Sequence, residues 1–322
     1  MTNRTGVYTP VFGMTANTHT YYFRAYGLTF AAPFELQDLV PIDSGCKPDV
    51  TISYSEIGPK PDKYAKLEKV ALTSAAGPRI YWKDIATFFI PDGCRIQIER
   101  GPNWSVELAR NPLLGVVAGA LLHQRETFAL HSSAVAIDHV AVAFLGHKNC
   151  GKSTLAAVLV ERGHDFISDD ILAFESRSLS EGHIKVVSSF PQFKLSSESV
   201  SALGKNHMNL DSPGLFADKL AYRSIHSFST DPVLLGKIYS LSFCDAFSIT
   251  TLKAKPALAE LLRHAYAPRV LGDAADRRLP FRSAGRILAH VPIAHLQRPK
   301  GLSELNRLAD RIEIDVRQIT GS

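Results

Sequence analysis

An α/β fold with a β-rich N-terminal lobe is predicted by three observations. Residues 15 to 110 gather β-forming side chains between proline and glycine punctuation. From Phe128 onward, strand-like and helix-like segments alternate, as in a layered α/β structure. Between two of them, the apolar run Val140 to Leu145 leads through Gly146-His147-Lys148-Asn149-Cys150-Gly151-Lys152-Ser153-Thr154 into a helical segment closed by Gly163. That stretch fits G-x-x-x-x-G-K-[ST], a pattern with mechanistic meaning only where a strand precedes it and a helix follows. Here both conditions hold.

The elements follow in chain order. Met1 to Met14 lacks the continuous apolar core of a secretory signal, so the chain is expected in the cytoplasm. Strands are predicted at Tyr21 to Tyr26, Asp49 to Tyr54, Ile80 to Trp82 and Cys94 to Glu99, which together define an N-terminal lobe over residues 1–110. The second unit, 111–322, opens with a helix from Asn111 to Arg125, Asn111 serving as cap and Pro112 occupying the first turn. A strand over 128–137, a turn at Asp138-His139, a strand over 140–145, the loop with its helix Lys152 to Arg162, and a strand over Asp165 to Phe174 form the core. Weaker signals follow: a short strand near Lys185 to Val187, a helix over Ser196 to Leu203 and a loop over 204–224. Beyond these come a strand over Leu234 to Phe243, helices over Lys255 to Ala267 and Phe281 to His290, and a strand over Val291 to Gln297. Leu302 to Val316 mixes both patterns.

Composition narrows the function. With 322 residues, 45% hydrophobic and 21% charged, the balance is that of a globular protein. The longest apolar run, Leu113 to Leu122, is about half the ~20 residues needed to cross a bilayer, so no membrane association is expected. Cysteines at 46, 94, 150 and 244 have no metal-ligand spacing and no paired pattern, pointing to neither zinc nor disulfide. The net charge of +5 is spread along the chain except for Arg263, His264, Arg269, Arg277, Arg278, Arg282 and Arg286. That cluster reads as a solvated helical face or a site for an acidic partner, and nucleic acid is not expected.

The loop residues each have a task. Glycines permit positive φ and bring consecutive N–H groups, with the helix dipole behind them, onto phosphate oxygens. Gly146, Asn149, Cys150, Gly151, Lys152, Ser153 and Thr154 form the expected nucleotide-binding set, Lys152 reaching the β and γ phosphates and Ser153 ligating Mg²⁺. Thr154 can instead pack or cap the turn, and Cys150 can be either a redox-sensitive thiol or a space-filling residue beside the glycines. Asp169-Asp170 closes the strand after the loop helix; adjacent carboxylates on an extended segment face opposite sides, so one can serve a nucleophile and the other a metal. They can also merely cap a turn. His131, in Leu130-His131-Ser132-Ser133-Ala134-Val135, lies on the strand before the loop-bearing one, as a structural residue or at the same edge as the loop.

Leu122-His123-Gln124-Arg125, the His131 stretch, Gly146 to Thr154, Glu161-Arg162-Gly163-His164 and Ser168-Asp169-Asp170 together resemble the HPr kinase/phosphorylase superfamily. The match is closest to its HPr-kinase-related branch, which includes kinases that phosphorylate a C-terminal serine of lasso-peptide precursors. It is clear over about 120–175, and weaker through Pro191 to Leu195, Lys237 to Leu241 and the C-terminal helices. The resemblance implies a nucleotide-binding core of the HPr kinase and PEP carboxykinase-like type, with ATP and Mg²⁺ as cofactors. It further implies that Ser153 and Asp170 hold Mg²⁺, and that Asp169, supported by His131, is the catalytic base beside Lys152. Lys194 and Lys219 become candidates for binding phosphate or a substrate carboxylate, or are solvated lysines. The glycine-rich signature with its glutamate, found after the acidic pair in the bifunctional enzymes, is missing; Phe190 to Ser196 stands in its place, so phosphorylase activity is not expected. The N-terminal half does not match the regulatory domain of those enzymes either. The expected function is therefore a serine kinase whose partner is a peptide or small protein, with self-association left open. A small-molecule kinase of the same fold and a nucleotide-gated sensor are the rivals.

Overall fold

A computed structural model of the chain describes residues 19–204, 220–223, 228, 231–271 and 277–320. The N-terminal lobe is an eight-stranded sheet in the spatial order Val40–Pro41, Tyr21–Ala25, Leu28–Ala32, Val50–Tyr54, Arg95–Arg100, Ala86–Asp92, Gly77–Trp82, Lys69–Ser74. Phe88, Ile90, Ile96 and Ile98 from its middle are buried because their alternate neighbours face outward. Lys69–Ser74 and Ala86–Asp92 were not anticipated, since lysine, proline and aspartate interrupt their alternation.

The helix joining the two halves begins earlier than expected. Ser105 caps Val106–Pro112, its hydroxyl accepting from Leu108 N at 3.2 Å, and Pro112 lies inside the helix rather than in its first turn. The backbone answers with a π turn over Leu113–Val117, in which Ala118 N donates to Leu113 O, before α-helix resumes over Ala118–Gln124. The division expected after residue 110 thus falls within a helix. One hydrophobic core joins the lobe (Phe23, Phe30, Ile52), this helix (Leu113, Val117, Leu121) and Ile171, Val187 and Phe190 from the second half.

The second half is built on a nine-stranded sheet. Its spine runs Asp165–Ser168, Ser133–Ile137, Val140–Leu145, Val233–Phe243, and the last strand is long enough to pair with Lys185–Val187 near its start and Ile293–Arg298 near its end. Asp138 and His139 both have positive φ, 49° and 65°, the two-residue turn that suits the twist of a tight hairpin. Large and small residues alternate along the central strands. Val135, Ile137, Val142 and Phe144 meet the helices Lys152–Glu161 and Leu305–Thr320. Ala134, Ala136, Ala141 and Ala143 meet Ala254–Arg263 and Arg278–His290. Helices on both faces explain why these strands read as unbroken apolar runs. The ambiguous C-terminal segment is helical because Leu308, Ile312 and Val316 share one buried face, and Asp315 accepts from Lys237 Nζ at 2.6 Å and Tyr239 hydroxyl at 2.5 Å.

Candidate nucleotide and acceptor site

Val140–Leu145 delivers the loop to one edge of the sheet. Ser133 lies opposite Phe144 in the antiparallel neighbour, and Ser168 opposite Ala134 in the next strand, so the starts and ends of all three strands meet at that edge. The strands expected over 128–137 and 165–174 are each in two pieces, Ala129–Leu130 with Ser133–Ile137 and Asp165–Ser168 with Leu172–Phe174. Ala134 pairs with Ser168 and Leu130 with Leu172, one register on both sides of the gap. Continued inward, it sets Ser133 opposite Asp169. Both breaks therefore fall together, and they free His131, Asp169 and Asp170 from ladder positions. The carboxylates diverge because the chain bends there, Asp170 at φ 79°, and not because of strand pleating; aspartate tolerates that conformation better than bulkier residues.

In the loop, Gly146 (φ 147°), Asn149 (φ 66°) and Gly151 (φ 90°) carry the turn, and Lys152 is buried with its Nζ donating to Gly146 O at 2.9 Å and His147 O at 3.3 Å. A Cβ on Gly146 would stand 2.5 Å from Cys150 Sγ, so the buried Cys150 side chain fills the space the glycine leaves. Asn149 is exposed. Thr154 is buried with its hydroxyl 2.9 Å from Ser199 Oγ, a contact that serves packing.

The acidic pair corrects two expectations. Asp169, 7% exposed, accepts at Oδ1 from Ser153 hydroxyl (2.8 Å) and Ser133 hydroxyl (2.6 Å), and at Oδ2 from Lys194 N (3.1 Å). It is thus Asp169, not Asp170, that stands beside Ser153. His131 supports the other carboxylate: its Nδ1 lies 2.9 Å from Asp170 Oδ1 and 3.1 Å from Asp170 O. Both are acceptors, so Nδ1 carries the hydrogen. Lys194 Nζ is 3.9 Å from Asp170 Oδ2, and Asp170 remains 35% exposed. Lys194 therefore joins the site, whereas Lys219 lies outside the described residues.

Four residues in or around the site had weak or no sequence signals. Ser133 was visible only as a neighbour of His131, until the register placed it on Asp169. Tyr26, from the N-terminal lobe, donates to Leu114 O at 2.6 Å; burial, then the nearby Asp170 charge, pushes its phenol well above the ordinary value. Asp38, from the same lobe, pairs with Arg110 at 3.3 Å and accepts from Gln192 Nε2 at 2.7 Å, on the strand Gln192–Leu195 that carries Lys194. Arg298 is 3% exposed and donates to Cys150 O at 3.0 Å from behind the loop.

Among the described residues no helix is long and apolar enough to cross a membrane. No family model matches the chain, and no curated relative is found. Among solved structures, one similar chain is the Hpr(Ser) kinase/phosphatase from Coxiella burnetii, at 14% identity over 59% of this chain and 94% of that chain, with a TM-score of 0.32. Agreement of that order is too loose to carry an argument about this chain.

Proposed function

We propose that the chain is an ATP- and Mg²⁺-dependent kinase that transfers the γ-phosphoryl group to a serine of a peptide or small protein, with the C-terminal serine of a lasso-peptide precursor as the leading acceptor. The observation that carries the reading is the 2.8 Å hydrogen bond from Ser153, in the first turn after the phosphate loop, to Asp169. A hydroxyl and a carboxylate at the mouth of an amide-lined loop are the oxygen donors a hard divalent cation takes. Lys152 and the loop amides are assigned to the triphosphate. Mg²⁺ bound there would offset charge on the transferring phosphoryl group.

The geometry favours exchanging the roles first expected for the acidic pair. Asp169 is 7% exposed and already accepts three hydrogen bonds, which suits a metal-side group; Asp170 is 35% exposed and held by His131, which suits the acceptor side. A carboxylate with an ordinary pKa of about 3.9 does not strip an alcohol of its proton early. Asp170 is accordingly assigned to orient the serine hydroxyl and take its proton late, with His131 fixing the carboxylate and Lys194 close by to neutralise phosphate.

The test is transfer of labelled γ-phosphate to synthetic peptides ending in serine or in alanine, with Lys152→Ala as control. Label on the serine-terminated peptides alone, lost in the variant, is expected. ATP binding without transfer to any peptide would sink the peptide-kinase assignment in favour of a small-molecule kinase or a sensor.

A further inference from the structure

Beneath the loop, on the side away from the acidic pair, Arg298 ends the strand Ile293–Arg298 with its side chain 3% exposed. Its Nη2 donates to Cys150 O at 3.0 Å, its Nη1 to Pro299 O at 3.1 Å and Gly301 O at 3.3 Å, and its guanidinium carbon lies 4.8 Å from the Phe243 ring centroid. Nε is buried with no hydrogen-bond partner, and among the described residues the group's partners are these carbonyls and the ring. Burial lowers its pKa, yet a guanidinium stays charged in any protein setting. A desolvated charge balanced, among the described residues, by carbonyl dipoles and a ring face costs stability. The fold nonetheless makes room for it: a Cβ on Gly151, at φ 90°, would stand 2.3 Å from Arg298 Nη2. Glycine at that position therefore serves Arg298 as well as the turn.

We propose that Arg298 is a charge-supplying residue of the anion site, acting on a triphosphate bound on the opposite side of the Cys150-Gly151 peptide. It is a positioning and affinity residue, not a catalytic one. The inference rests on the loop being an anion cradle. A charge buried this deeply is weakly screened, so it adds to the loop amides and Lys152 without competing for space in front of them.

The test uses the full chain, with inorganic pyrophosphate, ATP and adenosine as probes, and compares wild type with Arg298→Met and Arg298→Lys across a salt series. Expected are about tenfold or greater weakening of pyrophosphate and ATP binding in the methionine variant, most of the affinity kept in the lysine variant, and a flatter salt dependence for methionine. Adenosine affinity should not change, and the ligand-free methionine variant should melt no lower than wild type. If methionine binds pyrophosphate like wild type, or lysine is no better than methionine, the inference falls while the cradle stands. If wild type itself fails to bind pyrophosphate and ATP, both fall.

Discussion

Replacing Asp169 with asparagine separates holding the fold from the metal role proposed for this carboxylate. Three donors converge on this carboxylate: the hydroxyls of Ser133 and Ser153 on Oδ1 and the Lys194 amide on Oδ2. The two hydroxyls can reverse and accept, but a backbone N–H cannot. The asparagine must therefore turn its oxygen to Lys194 N and its NH₂ to the serines. Three charge-assisted bonds become neutral ones, at about 0.5–1 kcal/mol each, so the variant should lose about 1.5–3 kcal/mol and still fold. The effect on turnover should be far larger. Loss of a group that only supports a metal ligand lowers metal affinity about 10–100-fold, and loss of a direct oxygen donor should do at least as much. Turnover measured across a Mg²⁺ titration should thus require more metal and reach a lower plateau, while ATP binding in EDTA is retained. Turnover with unchanged Mg²⁺ dependence would refute the placement of Asp169 on the metal side.

Three further outcomes are expected. His131→Ala removes the group 2.9 Å from Asp170 Oδ1, so kcat should fall about tenfold or more while nucleotide affinity holds; equal losses in both would make His131 a purely structural residue. Gly119→Ala would drive a Cβ to 2.2 Å from Tyr266 Cε1, beside the His131 ring, and should destabilise the chain by about 1–3 kcal/mol in denaturant unfolding; unchanged stability would mean the helix and Tyr266 part easily. The Glu313 carboxyl is held below its ordinary value of 4.5 by the hydrogen bond from Arg162, with His164 adding to it. A depressed folded-state value stabilises the fold above the unfolded value and loses that contribution as pH falls through the folded one. Glu313→Gln should therefore flatten the acid side of the stability–pH curve below about 4.5, and an unchanged acid limb would contradict the pairing.

The strand–turn–helix unit around the loop was legible from its spelling because its cues are local: glycine φ, the preceding apolar run and the following helix all lie within one short stretch. The central strands were legible for the same kind of reason, since helices on both faces leave Val140–Leu145 no polar position. Elements with mixed faces were not. Pro112 looked like a helix start because a π turn that tolerates an interior proline has no sequence signature here, and Leu305–Thr320 looked ambiguous until tertiary packing chose which face to bury.

The division is sharpest in the acidic pair. Sequence alone placed a lysine, a hydroxyl, two carboxylates and a histidine on three successive predicted strands and the loop between two of them, because succession along the chain and loop length are short-range properties. Only the tertiary structure decided which carboxylate meets which partner. Two strands break in the same register, Asp170 turns to φ 79°, and Asp169 swings to Ser153 while Asp170 swings to His131. Tyr26, Asp38 and Arg298 belong to the same category: they come from far along the chain to lie around the site, Asp38 against the strand that carries Lys194 and Arg298 against the loop, and proximity of that kind is set by packing, which no local spacing encodes.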